Sequence, residues 1–423
     1  MSKLDTNTIL PVSWSFVPLK ELGDWSGGGT PSKAKPQYWQ GGTIPWVSPK
    51  DMKTERISDS EDHITKEAVS HSATSLINAG SVLIVTRSGI LRHTLPVAVN
   101  SVPVTVNQDL KALTPQSGVL ADYVAWALRA FSRDILNTCT KQGTTVNSVE
   151  TGKLLSFEIP MAPTEQQQII VAEIEKQFSR LDEAVANLKR VKANLKRYKA
   201  SVLKAAVEGA LVPIKNRQAT KIGEVADLVT KGASPNWQGF TYTDSGVAFV
   251  RSQNVGWGSL DLSDVAHLSP AFNEKERKSV LRTGDVLLNI VGASIGRAAV
   301  ATPEIEGGNV NQAVAVIRLN KERMLPKYLM FNLLSPGTQA AIHAEKVDVA
   351  RANVSLSDIK DFSVLFPSLA EQGTMVAEVE RRLSVIEKLE AAIEANLTRA
   401  DRLRQAILGQ AFSGKLLLNE ARG

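Results

Sequence analysis

EQQQIIVAEIEKQFSRLDEAVANLKRVKANLKRYKASVLKAAVEGALV, residues 165–212, is the stretch that decides the fold. Its apolar residues fall at Val171, Ile174, Phe178, Leu181, Val185, Leu188, Val191, Leu195, Tyr198 and Val202. Steps of three and four alternate almost throughout, which is the stripe of a long amphipathic helix with coiled-coil character. At 1.5 Å per residue such a helix runs about 65–70 Å. A lone helix of that length has nothing to bury its stripe on, so it calls for a partner of similar length.

The same chain supplies one. Residues 376–417 read VAEVERRLSVIEKLEAAIEANLTRADRLRQAILGQAFSGKLL. Slid back by 205 positions (376 minus 171), they overlay the first helix without a gap. Val171, Ala172, Glu173 and Glu175 meet Val376, Ala377, Glu378 and Glu380; Ser179 meets Ser384, Arg197 meets Arg402, and Gly209 meets Gly414. The chain is a tandem duplication with a period of about half its length.

Charge predicts how the helices pair. The first begins acidic (Glu173, Glu175, Asp182, Glu183) and ends basic (Lys189, Arg190, Lys192, Lys196, Arg197, Lys199). The second begins with Glu378, Glu380, Glu387, Glu390 and Glu394 and ends with Arg399, Arg402 and Arg404. Parallel pairing sets acid beside acid, whereas antiparallel pairing sets each acidic end beside a basic one. The same polarity also complements each helix's own dipole.

Composition narrows the class. The 423 residues suggest two to four domains, and a hydrophobic content of 43% is ordinary for a globular protein. A net charge of +6 makes an acidic partner such as nucleic acid plausible without demanding one. The single cysteine, Cys139, rules out an intrachain disulfide and any cysteine-based metal cluster, and fits a reducing compartment. No apolar run reaches the ~18 residues of a membrane span, and the start MSKLDTNTILPVSW lacks a signal peptide's core. A soluble cytoplasmic protein is the expectation.

Before the first helix, turn signals at Pro11, Pro18 and Gly27-Gly28-Gly29-Thr30-Pro31 precede strand-like runs at Thr43–Ser48, Ser81–Thr86 and Val102–Val106. A helical run over Ala121–Leu136, a polar loop over Lys141–Asn147 and a strand ending at Pro160 follow. Residues 216–367 repeat that order. Val247–Val255 answers Ile44–Met52, Gly284–Val291 answers Gly80–Arg87, and Val310-Asn311-Gln312 answers Val106-Asn107-Gln108. Pro326–Leu334 answers the Ala121 helix, and Val347–Val354 answers the polar loop. The predicted architecture is α/β (α+β): two duplicated domains, 1–163 and 216–367, separated by helical regions 164–215 and 368–423 that form an antiparallel coiled coil. Loop side chains differ while scaffold signals match, the pattern of two binding modules with different targets.

Over essentially its whole length the chain resembles the specificity subunit of type I restriction–modification enzymes. The resemblance rests on the Pro160–Gln168 junction PMAPTEQQQ and its shorter copy PSLAEQ at Pro367–Gln372. It rests also on Ala206-Val207-Glu208-Gly209 and Ala411-Phe412-Ser413-Gly414-Lys415-Leu416, on the Asn-Gln pairs, and on Gly292-Ala293-Ser294-Ile295-Gly296. The first domain departs from the last motif with Arg87-Ser88-Gly89-Ile90-Leu91. The resemblance implies a non-catalytic DNA-recognition subunit whose target-recognition domains each read half of an asymmetric bipartite site on double-stranded DNA. The helical pair then sets the spacer and docks two methyltransferase subunits, and two restriction subunits can join. S-adenosylmethionine, ATP and Mg would belong to those partners, with no cofactor or metal in this chain.

Catalytic signatures are missing. Gly292–Gly296 fits a Gly-x-Ser-x-Gly nucleophile elbow, but RAAVAT (297–302) reads as a strand where the elbow needs a helix, so a tight turn between strands is the better reading. There is no Walker A pattern and no Asn-Pro-Pro-aromatic signature, and His63, His71, His93, His267 and His343 have no metal-ligand spacing. Polar loop residues are the better candidates: Arg and Lys suit guanine, Asn and Gln suit adenine, and Ser and Thr suit phosphate. They are Ser48, Lys50, Arg87, Arg92, Lys141, Gln142 and Thr144 in the first domain, and Arg251, Gln253, Asn254, Arg297, Arg351 and Asn353 in the second. Asn107-Gln108 and Asn311-Gln312, kept in both halves, suggest scaffold hydrogen bonds. Trp46, Trp126 and Trp237 read as core or loop anchors, and the basic run Lys189–Lys199 as pairing with the second helix's acidic start. A structural scaffold that binds no specific DNA, or a hydrolase using Ser294, are the alternatives from other classes.

Overall fold

The computed structural model describes residues 10–141, 146–215, 217–344 and 353–416. The chain forms two compact units, residues 1–187 with 396–423 and residues 188–395. Each unit is a mixed α/β body together with part of both long helices.

In the first unit the strand order of the main sheet is Gly23–Gly27, Leu110–Pro115, Val82–Val85, Val97–Asn100, Arg56–Ile57. Val82–Val85 is buried at every position because sheet neighbours flank it and helices cover it. Ile44–Val47 lies between Asp62–Ile64 and Thr105–Val106 in a second sheet. Ser15–Pro18 pairs antiparallel with Glu158–Met161, so the body closes on itself just before the long helix. The expected helix over Ala121–Leu136 is two helices, Ala121–Ala130 and Ser132–Cys139. The break falls at Phe131, whose ring turns toward Phe157 and Phe412 and lets Ile135 and Cys139 bury as well. Of the expected strand Val102–Val106 only Thr105–Val106 is strand, while Val104 bridges Ile77.

The second unit repeats the scaffold in register. Leu110 opposes Val85 and Leu113 opposes Val82; 204 positions on (314 minus 110), Val314 opposes Asn289 and Ile317 opposes Val286. Ala219–Lys221 closes on Ser363–Leu365 as Ser15–Pro18 does on Glu158–Met161. Tyr123 donates its hydroxyl to Pro160 O at 2.9 Å, and Tyr328 donates to Leu365 O at 3.0 Å. Gly28 and Gly232 each press against a backbone carbonyl, of Val106 and Val310, where a Cβ has no room.

The long helices run over Thr164–Val207 and Leu369–Phe412, 44 residues each. Their starts explain the repeated Glu-Gln junction. Gln167 is 2% exposed and Gln372 fully buried. Gln167 accepts from Leu120 N–H at 2.9 Å and donates to Ala162 O (2.8 Å) and Gly118 O (3.2 Å). Gln372 accepts from Leu325 N–H at 2.8 Å and donates to Pro367 O (2.9 Å) and Arg323 O (3.1 Å). Each glutamine thus spends both ends of its amide tying a helix start to its domain. Each helix is followed by a glycine in the left-handed region, Gly209 (φ +67°) and Gly414 (φ +76°), the usual residue for a helix C-terminus.

The pairing is antiparallel within each unit. Arg404 pairs with Asp182 in the first unit and Lys192 with Glu394 in the second, where the Arg382 guanidinium also donates to the Tyr198 hydroxyl at 3.3 Å. Ten residues on from Asp182 is Lys192, and ten back from Arg404 is Glu394, so each unit uses the same register. These pairs are exposed to solvent, so they select orientation more than they stabilise it. Burial does the rest. Ile170, Ile174 and Phe178 pack into the first body with Leu408, Ala411 and Phe412; Leu203 and Ala206 pack into the second with Met375 and Val379. Val191 and Tyr198 of the expected stripe are exposed, as are Val385 and Leu389 of the second helix in the same unit.

Candidate nucleic-acid interface

In both bodies the chain turns after the middle strand of the smaller sheet. After Ile44–Val47, Ser48 donates its backbone N–H and its hydroxyl to the Asp51 carboxylate at 2.8 and 2.9 Å. After Val247–Val250, Arg251 N–H donates to the Asn254 side-chain oxygen at 2.9 Å. The same turn is thus closed by Asp51 in one copy and by Asn254 in the other. Ser48 and Asn254 are buried, and their polar atoms close the turn rather than facing solvent.

The residues projecting from these turns rest on carboxylates. Lys50 donates to Asp62 at 2.9 Å and lies 3.1 Å from Glu61; these hydrogen bonds hold its ammonium above the usual lysine range. Arg251 donates through one Nη to the Asp264 carboxylate (3.0 Å) and to the Asp264 backbone oxygen (2.6 Å). Gln253 donates to the same carboxylate at 3.0 Å, and Asn254 to the same backbone oxygen at 3.2 Å. Three of the six candidates in the second domain therefore converge on one aspartate.

A second set gathers on a small sheet in the first unit. Ser148 lies directly opposite Lys141 on one side and Arg87 on the other. Directly opposed residues share a face, so the two cations flank Ser148 at a Cα spacing of about 10 Å. Arg87 also lies 3.2 Å from Asp109, and Arg92 is exposed on the 3₁₀ turn Gly89–Arg92 that follows. Gln142, Thr144 and Arg351 lie outside the described residues. In the second unit the same place is marked by an antiparallel bridge between Val291 and the exposed Asn353. Val354 N–H donates to Ile290 O there, as Val149 N–H does to Thr86 O. Arg297, half-buried, follows the turn Gly292–Ser294.

That turn is a 3₁₀ turn leading into the strand Ala298–Val300, so Ser294 sits in a β-hairpin and not on a strand-to-helix elbow. Gly292 and Gly296 supply the left-handed backbone there (φ +80° and +86°). The first domain, without this glycine pair, still forms a 3₁₀ turn. Asn107 and Asn311 are scaffold: their backbone N–H groups donate to Val47 O and Val250 O, and their side-chain oxygens accept from the N–H two residues on. Trp46 and Trp126 are buried anchors. Trp237 is not; it stands 86% exposed between Pro235 and Gly239. Lys192 of the basic run pairs with Glu394.

Asp62, Glu61 and Asp264 escaped the sequence reading. They lie 11 to 13 residues from the side chains they hold, and only strand pairing (Trp46 with Asp62, Phe249 with Ala266) brings them close. Among the described residues no group of three or more His, Cys, Asp or Glu could hold a metal ion, and no helix is long and apolar enough to cross a membrane.

One scaffold built twice, with turns that match in backbone and differ in side chain, defines a protein of two recognition modules joined by paired helices. The chain belongs to the type I restriction modification DNA specificity domain family, whose model matches residues 11–197 and again 215–399. It is 46% identical over 174 residues to the type I restriction enzyme EcoR124I/EcoR124II specificity subunit of Escherichia coli, which is 41% of this chain and 42% of that one. It is 28% identical over 293 residues to the EcoBI specificity subunit of Escherichia coli, 64% of this chain and 61% of that one. The matches thus span about half the length of these curated relatives. The fold is also that of the HsdS subunit from Thermoanaerobacter tengcongensis, with a TM-score of 0.63 at 20% identity over 96% of this chain and 98% of that one. A chain from a structure of complex assembly and conformational transition in the type I R-M system aligns with a TM-score of 0.77 at 20% identity, over 96% and 99% of the two chains.

Proposed function

We propose that the chain is the sequence-specific DNA-recognition subunit of a cytoplasmic type I restriction–modification complex. Each domain reads one half of a bipartite target, and because the two sets of turn residues differ, the target is asymmetric. The observation that carries this reading is the pair of scaffolds matched in strand register yet divergent at Ser48–Asp51 and Arg251–Asn254. A pure scaffold has no need of unlike side chains on identical turns. The exposed Lys50, Arg87, Arg92, Lys141, Gln253 and Asn353, with Arg251 and Arg297, are the residues proposed to meet DNA.

The chain supplies recognition and spacing; methyl transfer and cleavage belong to partners. Two methyltransferase subunits dock on the helical region and bring S-adenosylmethionine, and restriction subunits bring ATP and Mg. The paired helices act as a ruler between the half-sites. The test is to assemble the chain with its methyltransferase partner and map the methylated adenines on random duplex DNA. Methylation confined to one asymmetric bipartite sequence is expected. Methylation without sequence preference, or methyl transfer by this chain alone, would overturn the reading.

A further inference from the structure

Asp264 is the hub of the second domain's candidate edge, although it reads no base in the proposal above. Its side chain is 80% exposed, whereas that of Arg251 is only 23% exposed. Its carboxylate accepts from Arg251 and Gln253, and its backbone oxygen accepts from Arg251 and Asn254. The Arg251 guanidinium also lies 6.0 Å from the Tyr242 ring, which limits where it can swing. Its Nε is buried without an acceptor, so the resting arrangement leaves one donor unmet. A surface ion pair adopted only for stability would gain little from such a geometry.

The first domain repeats the device with other residues. Its turn shares no side chain with that of the second at the four aligned positions, Ser48-Pro49-Lys50-Asp51 against Arg251-Ser252-Gln253-Asn254. Yet Lys50, aligned with Gln253, is also held by carboxylates from the neighbouring strand region. An acidic side chain beside a DNA-facing cation opposes a phosphate and competes for its donors. A single phosphate oxygen replaces the carboxylate poorly, because it arrives against that negative charge. A base edge with two acceptors, such as guanine O6 and N7, can take over the two donors, of Arg251 and Gln253, released from the Asp264 carboxylate.

We propose that Asp264 is a specificity-determining positioning residue: it holds Arg251 and Gln253 away from the DNA backbone and releases them only to a base edge that replaces both of its bonds. This inference rests on the recognition reading above. Asp62, beside Lys50, plays the same part for the other half-site.

The test uses the full chain assembled with its methyltransferase partner, and compares wild type, Asp264→Asn and Asp264→Glu. Binding to target and scrambled duplexes is followed by fluorescence anisotropy over a salt series, with thermal unfolding measured alongside. Asp264→Asn should bind scrambled DNA about 3- to 10-fold more tightly near 100 mM salt, with a log–log salt slope steeper by about 0.9, one more phosphate contact. Its target-to-scrambled ratio should fall by about tenfold, on the scale of one base contact. Asp264→Glu, which keeps the charge, should restore most of the ratio, and the unfolding midpoint of Asp264→Asn should stay near wild type. Equal weakening on both duplexes with a lower unfolding midpoint would make Asp264 a structural residue and overturn the inference. An altered base preference at one position with scrambled binding unchanged would make it a direct reader and overturn it too. In both cases a discriminating wild type leaves the recognition reading standing. A wild type that binds both duplexes alike would instead sink the recognition reading, and the inference with it.

Discussion

Lengthening the paired helices should lengthen the DNA spacer. In the second unit Lys192 pairs with Glu394, so in this antiparallel register Val191 lies opposite Ala395. Insertion of four good helix formers after Val191 and four after Glu394 therefore extends both helices at the same level. Val191 is exposed, so the insertion disturbs little packing there. Four residues add about 6 Å at 1.5 Å per residue and turn the helix by about 400°, one full turn plus about 40°. The apolar stripe is displaced only slightly. Base pairs are spaced about 3.4 Å, so the preferred spacer should grow by about one or two base pairs. Two extra base pairs also rotate the far half-site by about 70°, so some affinity is lost along with the shift. The half-site sequences should not change, since the residues proposed to read them lie on the α/β bodies. The assay is methylation of a duplex library with fixed half-sites and variable spacer, by the variant assembled with its methyltransferase partner. A folded, active variant that keeps the original spacer would refute the ruler.

Three further outcomes rest on single sites. Gln372→Ala removes a buried amide that serves three backbone groups, so it should cost about 1–3 kcal/mol in denaturant unfolding and loosen the start of the second long helix; protection of its first turn from hydrogen exchange should fall with it. Asp285, 2% exposed, binds Arg318 through two hydrogen bonds of 2.8 and 2.7 Å, whereas Ser81 and Thr114, the equivalent pair in the first domain, share one hydroxyl–hydroxyl bond of 2.9 Å. Asp285→Ser alone should therefore cost about 1.5–3 kcal/mol by stranding a half-buried guanidinium, and adding Arg318→Thr should recover most of it; additive losses in the double-mutant cycle would contradict this account. Burial pushes the Tyr328 phenol up to about 12 and that of Tyr123 higher still. A raised folded value means this stability is complete below the ordinary tyrosine value near 10 and is lost as pH rises through the folded value. Absorbance at alkaline pH should then show Tyr123 and Tyr328 ionising late, together with unfolding.

The duplication, the two long helices and their antiparallel sense were legible in the chain because each is written locally. A stripe repeats every three or four residues, charge changes sign along each helix, and the helix copy recurs without a gap. Buried strands such as Val82–Val85 were legible for the same reason: a run of apolar residues needs no knowledge of its neighbours. Tertiary structure alone decided where long-range contacts fall. The helix break at Phe131 follows from rings at Phe157 and Phe412, far along the chain. Val191 and Tyr198 carry the same stripe as Ile174 and Phe178, yet only the latter pair meets a body that buries it. Trp237 looks like an anchor until the fold shows its indole exposed. The candidate residues were chosen by type, and sequence could not show that Ser48 and Asn254 close turns while Arg251 and Gln253 share Asp264. Those partners are set by which strands lie side by side, a property of the folded sheet that no local run of residues encodes.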